Sequence, residues 1–587
     1  MSSQSTSIPR HDPASRTSPS RGSARRHAAA WIAVIASLIA STAIAQAPAT
    51  PAPFAPLSQA PEAALKAIIE KGGPYPDAMR DSHQRDWIAK LYESNGYRLY
   101  WSHDGKPTAA AISLVRELRL AGERGLDPKD YPAERLALLT SELAREQLPG
   151  SDQAAQFDAG LSLAGLKFLS DVHFGRIDPV SVGHYLSIER VRLDVPTTLA
   201  HLAAAVNVPA AVDALEPQFS HYALLKKQLM RYRALSGESG INVLPALPAK
   251  AVKPGGAYAG AAQLQHLLTE LGDGATPPAT TPPSTLTPAL VAALQNFQKR
   301  HLENPDGVLG AATFTELTRP LEQRVRQIEL TMERWRWLPS ELVTAPIIVN
   351  IPQFRLFAFE STADSEARIR QMDVIVGKSF DSTQTPVFAA DMSYLVFRPF
   401  WDVPHSIAVK EVVPTARRDP ADIERRNMEI VRGGEDSAAL PNTAENVELV
   451  AKGSLRLRQR PGPNNSLGLV KFMMPNAYNV YLHSTPAQSL FAETRRDFSH
   501  GCVRVSDPVG LAEYVLRDSP EWTRDKILAA MNGDKPLTVT LKNRIRVFIV
   551  YGTALAREQG DVLFFDDIYR HDARLEKALQ ARVARNL

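Results

Sequence analysis

The chain of 587 residues contains a single cysteine, Cys502, and the residues near it are those that a thiol nucleophile needs. A cysteine that attacks a carbonyl carbon requires a lowered thiol pKa, a base to accept its proton and donors for the oxyanion. His483 ends a short segment in which Tyr481 and His483 alternate with apolar residues, which makes it the candidate base. Its separation from Cys502 is compatible with two elements joined by a loop.

The residues that lead into Cys502 predict a tight turn. Gly501 allows backbone N–H groups to approach a reacting carbonyl, so the amides of Gly501 and Cys502 are candidates for an oxyanion hole. Arg504 lies two residues further on, on the same face as Cys502 if the segment is extended. A cation at that position favours the thiolate and can also hold a carboxylate.

Two other interpretations of Cys502 stay open. Most lone cysteines are small buried apolar residues, although neighbouring His, Gly and Arg are poorly suited to that role. A zinc site formed by His483, His500 and Cys502 is conceivable, but it lacks a close-spaced ligand pair and a nearby carboxylate. We therefore expect neither a metal nor a cofactor.

Taken together, the segment resembles the signature of the L,D-transpeptidases: a His, a gap of about fifteen residues, then Ser-His-Gly-Cys, one residue and Arg. The resemblance extends from about residue 100 to residue 571 and is to the large, multi-domain branch of that family. Other segments that carry it are ERWR at 333–336, VGK at 376–378, TP at 385–386, RPFW at 398–401, VKF at 470–472 and DIY at 567–569.

The resemblance implies catalytic roles for five residues. Cys502 is implied to be the acylated nucleophile and His483 its base, with the carbonyl of Ser484 orienting the imidazole. Tyr481 and the amides around Gly501 are implied to be oxyanion donors.

Five further residues are expected to bind substrate. The resemblance implies that His500 and Arg504 position a donor stem peptide of peptidoglycan, and we add Ser499 and Trp401 as cleft residues. Arg458 lies in a run of three arginines that can hold acidic stems, with a solvated surface as the alternative.

The implied reaction is acyl transfer in two steps. The thiol attacks the bond between the diamino acid of a tetrapeptide stem and its terminal D-alanine, and an amine of a second stem then resolves the thioester into a 3→3 cross-link. Carbapenems are expected to acylate the same sulfur.

Two alternative functions stay open: a wall hydrolase or carboxypeptidase on the same scaffold, and a non-catalytic wall-binding protein. The acceptor also stays open, and can be a stem, a lipoprotein lysine or a free amine. Other cell-wall synthesis enzymes are candidate partners.

The elements that must position these residues predict a multi-domain α+β chain. Many short β-branched segments after residue 345 indicate a β-sandwich-like catalytic domain. A polar stretch at about 405–470 is too long for an ordinary loop and predicts a lid over the site. The expected divisions are an all-α scaffold over 62–250, a peptidoglycan-binding-like helical module over 251–320, a connecting helix over 321–344, the catalytic domain over 345–552 and an extension over 553–587.

The beginning of the chain predicts export. Arg25 and Arg26 precede an apolar run that ends in Ala-Ile-Ala, so residues 1–45 are expected to be a signal peptide or a membrane anchor, followed by a Pro/Ala linker over 46–61. We expect a periplasmic protein.

Without the five arginines and one aspartate of 1–45, the chain has 62 basic and 62 acidic residues, a balance that argues against a nucleic-acid binder. A single cysteine excludes an intrachain disulfide scaffold.

Overall fold

The computed structural model describes residues 59–71, 82–145, 151–186, 193–274, 282–339, 344–361, 368–380, 383–434 and 437–586. The predicted export segment 1–45 and the predicted linker up to residue 58 lie outside the described residues. Within these described ranges, no helix combines the length and the apolar character that a membrane crossing requires.

The first half of the described chain is helical, as its sequence periodicity predicts. Helix starts coincide with side chains that cap free N–H groups: Thr108 accepts a hydrogen bond from the Ala111 N–H, and Thr287 accepts one from the Leu290 N–H. The helices are α1 (Gln59–Glu70), α2 (Ser82–Glu93), α3 (Ala109–Arg119), α4 (Ala133–Arg145), α5 (Ser151–Phe174), α6 (Val195–Ala203), α7 (Val208–Asp213), α8 (Ser220–Gly237), α9 (Ala261–Leu271), α10 (Pro288–Arg300), α11 (Ala311–Leu317) and α12 (Leu321–Trp335).

Short strands accompany these helices, and longer ones dominate from residue 347 onward. They are β1 (Ser102–His103), β2 (Lys106–Pro107), β3 (His184–Tyr185), β4 (Ala251–Val252), β5 (Leu309–Gly310), β6 (Ile347–Asn350), β7 (Arg355–Ala358), β8 (Arg370–Gly377), β9 (Val387–Phe397), β10 (Trp401–Asp402), β11 (Met428–Val431), β12 (Arg456–Gln459), β13 (Val470–Met473), β14 (Leu482–His483), β15 (Asp497–Ser499), β16 (Val503–Val505), β17 (Leu537–Val550), β18 (Ala554–Ala556) and β19 (Val562–Phe564). The later helices are α13 (His405–Ile407), α14 (Val413–Ala416), α15 (Asp422–Arg425), α16 (Ala444–Ala451), α17 (Pro508–Val515), α18 (Arg524–Met531) and α19 (His571–Asn586).

The predicted β-sandwich is instead one sheet that closes on itself. Strands β6, β7, β8, β16, β14, β13, β9 and β17 are hydrogen bonded in that order, and β17 pairs with β6 to complete the ring. Closure depends on β9, whose residues 394–397 pair with β13 on one edge and with β17 on the other. The prediction of a β-rich domain from short β-branched segments is confirmed. Which strands pair, however, is set by contacts between residues distant in sequence.

The end of strand β17, residues 547–550, is buried on both faces. Val547 and Ile549 belong to the core enclosed by the sheet together with α17 and α18. Phe548 and Val550, which alternate with them, belong to a second core shared with α8 to α12. The closed sheet therefore rests on the helical half of the chain through a continuous apolar contact.

The stretch predicted to be a lid folds as a small unit with its own core. Strands β10, β12 and β11 form a three-stranded sheet, and the helices α13 to α16 and a π-helical turn at Ala408–Val412 cover it. Its apolar core includes Val412, Ile430 and Leu457, all buried. We call residues 401–459 the insertion. Its use as a lid stays a prediction.

The helical half also contributes directly to the sheet. β3 pairs in parallel with β9, with His184 opposite Val387 and Tyr185 opposite Phe388. His184 Nε2 lies 2.8 Å from Nδ1 of His571, at the start of α19. The predicted C-terminal extension, residues 553–587, therefore meets the predicted scaffold at this strand.

Candidate active site

A cleft of about 1150 Å³ lies between the insertion and one end of the closed sheet. It brings together eight of the ten predicted site residues. These are Cys502, His483, Tyr481, Gly501, His500, Arg504, Ser499 and Trp401.

The Cys502 thiol follows β15 and precedes β16. Its sulfur lies 3.7 Å from the Asn479 carbonyl oxygen. Burial raises the pKa of the Cys502 thiol, and hydrogen bonds from Tyr481 and the charge of Arg504 only partly offset this effect. The sulfur is thus held as a neutral thiol that needs a base in order to react.

His483, the predicted base, lines the same cleft with one ring nitrogen held by the backbone. Its Nδ1 lies 2.5 Å from the Ser484 carbonyl oxygen, an acceptor that requires a proton on Nδ1 and so leaves the lone pair on Nε2. Burial, followed by the charge of Arg504, lowers the pKa of His483 to about 3. The imidazole is therefore neutral at physiological pH, and the backbone of Leu467 forms a second hydrogen bond with it. Ser484 makes this contact through its backbone carbonyl and lies beside the cleft rather than in its lining.

The turn that presents Cys502 is closed by Ser499. Its hydroxyl donates to the Cys502 carbonyl oxygen at 2.6 Å and accepts from the Gly501 N–H at 3.1 Å. This arrangement changes the predicted oxyanion hole, because the Gly501 amide is already engaged. In the part of the chain that the structure describes, the Cys502 N–H has no such partner and is the backbone donor left for an oxyanion. Ser499 shapes the turn rather than offering a free hydroxyl to substrate.

Gly501 itself has φ +120°, a conformation that L side chains rarely adopt. Its carbonyl oxygen accepts a hydrogen bond from Thr385 at 2.8 Å, and the same Thr385 hydroxyl accepts from the Gly377 N–H at 2.9 Å. The Tyr569 hydroxyl donates to the Gly377 carbonyl. Thr385 and Tyr569 thus support the turn, a role that sequence reasoning missed although both lie in segments that carry the resemblance.

Tyr481 lies beside both reacting groups. Its hydroxyl hydrogen bonds to the Cys502 sulfur, and burial together with that neighbour keeps the pKa of Tyr481 well above its usual range. Its ring centroid is 5.8 Å from that of His483. A phenol that stays protonated in this position is a donor to developing negative charge.

The insertion supplies the opposite wall. Trp401 lines the cleft from β10, and His500 Nε2 lies 2.6 Å from Glu411 Oε1 on the π-helical turn. Arg458 is not brought to the cleft. Its guanidinium is buried, paired with Glu429 and placed 4.3 Å from the Phe400 ring centroid, so it organises the insertion.

Comparison with known proteins agrees with this geometry. Residues 345–534 match the profile of the L,D-transpeptidase catalytic domain, and residues 86–229 match that of the scaffold domain. The chain therefore carries an L,D-transpeptidase catalytic domain joined to a helical scaffold domain, in a multi-domain α+β arrangement.

A curated protein is similar to this chain over part of its length. The curated protein named "Putative L,D-transpeptidase" of Haemophilus influenzae is 31% identical over 253 residues, which are 43% of this chain and 49% of that protein. The chain thus spans about half the length of the curated relative it matches. The crystal structure of an L,D-transpeptidase from Xylanimonas cellulosilytica aligns with 52% of this chain and 100% of its own, at 16% identity and a TM-score of 0.16.

Proposed function

We propose that the protein forms 3→3 cross-links in peptidoglycan by cysteine acyl transfer. One observation carries the proposal: Cys502 and His483 share a cleft, and the Nδ1 hydrogen bond to Ser484 leaves Nε2 of His483 to accept the thiol proton. The catalytic-domain match supports peptidoglycan as the substrate class, and we take its stem peptides as the substrates.

In the first step, Cys502 Sγ attacks the carbonyl carbon of the diamino acid while its proton passes to Nε2 of His483. The Cys502 N–H and the Tyr481 hydroxyl stabilise the oxyanion. The tetrahedral intermediate then expels the D-alanine nitrogen, which takes the proton from His483. A thioester and free D-alanine result.

In the second step, the side-chain amine of another stem attacks the thioester and gives a proton to His483. The sulfur leaves, recovers that proton and is again a thiol. No cofactor is consumed, because the thioester conserves the energy of the cleaved peptide bond. The insertion, acting as a lid, favours the amine over water by limiting the entry of water to the thioester.

Intact-protein mass spectrometry with a purified tetrapeptide donor tests the proposal. We expect wild-type protein to gain the mass of a tripeptide acyl group, and Cys502→Ala to gain none. With an acceptor stem present, a cross-linked dimer supports the transferase, whereas a free tripeptide alone would assign the protein as a hydrolase. No adduct and no D-alanine release would contradict both. A carbapenem, which we expect to acylate the same sulfur, provides an independent adduct.

The substrate lies outside the cytoplasm, so the proposal includes export to the periplasm through residues 1–45, with or without retention as an anchor. Fusing residues 1–61 to a reporter that is active only after export tests this part. A reporter that stays inactive would overturn it without affecting the catalytic proposal.

A further inference from the structure

Strand register places two cations on either side of His483. In the antiparallel pair β13–β14, Lys471 is the cross-strand partner of His483, and in the parallel pair β14–β16 the partner is Arg504. Directly paired residues share one face of a sheet, with Cβ atoms about 5 Å apart. All three side chains line the cleft, so the base is the middle member of a row with a cation at each end.

Neither cation has a carboxylate partner within the ranges that the structure describes. The Nε of Arg504 is buried and makes no hydrogen bond, and burial lowers the pKa of its guanidinium. Lys471 is half-buried and forms no ion pair with any described residue. Cations removed from water in this way are costly unless an anion compensates them.

The acidic residues of the cleft are engaged elsewhere. Asp402 and Glu411 are the carboxylates that line it. Glu411 contacts His500 at 2.6 Å, and Asp402 lies 3.9 Å from Nη1 of Arg456. Among the described residues, no carboxylate is paired with this row, and the acidic group that acts on Arg504 is the Cys502 thiol.

The leaving group can supply a carboxylate. His483 must return its proton to the departing nitrogen, and in an amino acid the carboxylate carbon is only two bonds from that nitrogen. Once the nitrogen faces Nε2, the carboxylate lies next to the imidazole, where the neighbouring cations stand. We propose that Lys471, together with Arg504, binds the free carboxylate of the leaving amino acid and so selects donors that end in a free acid.

This inference rests on the proposed function and is tested by pairing a variant with a change in the donor. Two donors are compared, a tetrapeptide with a free C-terminal carboxylate and the same peptide as its C-terminal amide. With wild-type protein we expect the amide to lower kcat/KM by about 10- to 100-fold, the range of a charged hydrogen bond. With Lys471→Met we expect the free acid to become nearly as poor a donor as the amide. Lys471→Arg should restore most of the preference.

Lys410→Met is the matched control, because Lys410 lines the same cleft from the insertion but lies outside the row. It should keep the preference. The rate at which iodoacetamide alkylates Cys502 should be unchanged in Lys471→Met, which shows that the site is intact. A preference retained in Lys471→Met, alongside normal D-alanine release, would overturn the inference and leave the proposed function standing. Absence of D-alanine release from wild-type protein would overturn the proposed function itself.

Discussion

His500 Nε2 lies 2.6 Å from Glu411 Oε1, which joins the turn that presents Cys502 to the insertion on the far side of the cleft. The two side chains are 33% and 50% exposed. Exposed pairs contribute about 0–1 kcal/mol to stability. The contact is therefore too weak to hold the fold together, and we expect its main effect to be on how closely the insertion approaches Cys502.

Glu411→Ala should consequently affect catalysis more than stability. We expect the rate of Cys502 acylation by donor peptide to fall about 3- to 10-fold. This is the change in rate that corresponds to losing roughly 1 kcal/mol of the interaction that orients the insertion. Thermal unfolding should shift by no more than about 3 °C. Glu448→Ala, which removes an exposed pair with Arg417 elsewhere in the insertion, is the control and should leave acylation unchanged. Equal acylation rates in the two variants would contradict this interpretation.

The pKa directions predict an unusual pH dependence for the thiol. Burial raises the pKa of Cys502 and lowers that of His483 to about 3, so neither group changes protonation between pH 5 and pH 8. Iodoacetamide should alkylate native Cys502 slowly across this range, with no inflection near pH 6.5, and faster only at alkaline pH. The urea-unfolded chain, which has the same single cysteine, is the reference and should react faster at pH 8. A plateau of fast alkylation below pH 7 would instead indicate a preformed thiolate–imidazolium pair.

The conformation of Gly501 can be tested separately from its packing. A Cβ at this position would be 3.7 Å from the Gln384 carbonyl oxygen, so there is room for it, but φ of +120° would be strained. We expect Gly501→Ala to fold and to lose about 100-fold in acylation rate as the turn relaxes away from its reactive geometry. Circular dichroism and the intact-protein adduct assay measure the two effects. An active variant would show that the turn tolerates other conformations.

Ser484→Ala distinguishes a backbone role from a side-chain role. The Ser484 carbonyl, not its hydroxyl, accepts the His483 Nδ1 proton. Acylation should therefore stay within about 3-fold of wild type, whereas His483→Ala should lose about 100-fold or more, the usual contribution of a general base. A large loss in Ser484→Ala would mean that the hydroxyl takes part in the site.

Glu333 is a residue at which we expect a single substitution to lower the free energy of unfolding strongly. Its carboxylate is fully buried, accepts from Arg176 Nε at 3.1 Å and lies 3.4 Å from Nη1 of Arg336. Burial alone would raise the pKa of Glu333, but these guanidinium groups keep it below its ordinary value. Glu333→Ala removes the carboxylate that faces Arg336 and leaves Arg176 with only its 3.8 Å contact to Asp130, so it should cost about 3–5 kcal/mol in urea unfolding.

The matched control for Glu333 is Glu134→Ala, because Glu134 forms an exposed pair with Arg119. It should cost less than about 1 kcal/mol. Similar losses in the two variants would show that the buried network does not carry the stability assigned to it.

The grouping of most predicted site residues in one cleft was predictable because its signals are local. Cys502, Gly501 and Arg504 lie within one turn and the strand after it, and Tyr481 lies two positions before His483, just ahead of β14. These relationships follow from the periodicity of a strand and from the freedom of glycine, both of which a sequence displays directly.

Distant pairing was not predictable in the same way. Arg458 looked like its neighbouring arginines, and only the folding of the insertion brings Glu429 to it. The sequence likewise does not show that the Gly501 N–H donates to the Ser499 hydroxyl. Ring closure through β9 likewise depends on strands that lie far along the chain. The residue pattern of a strand does not indicate which distant strand it pairs with. The domain divisions and the lid stay predictions.

Strand β3 has a practical consequence for anyone who dissects this chain. It covers the edge of β9 at Val387 and Phe388, on the side that β13 does not reach. A fragment that begins near residue 345 would lack β3 and would expose the backbone N–H and C=O groups of this edge to solvent and to the same edge of other copies. Such fragments should self-associate through this gap, so a soluble minimal enzyme has to retain residues 184–185 and the helices that hold them.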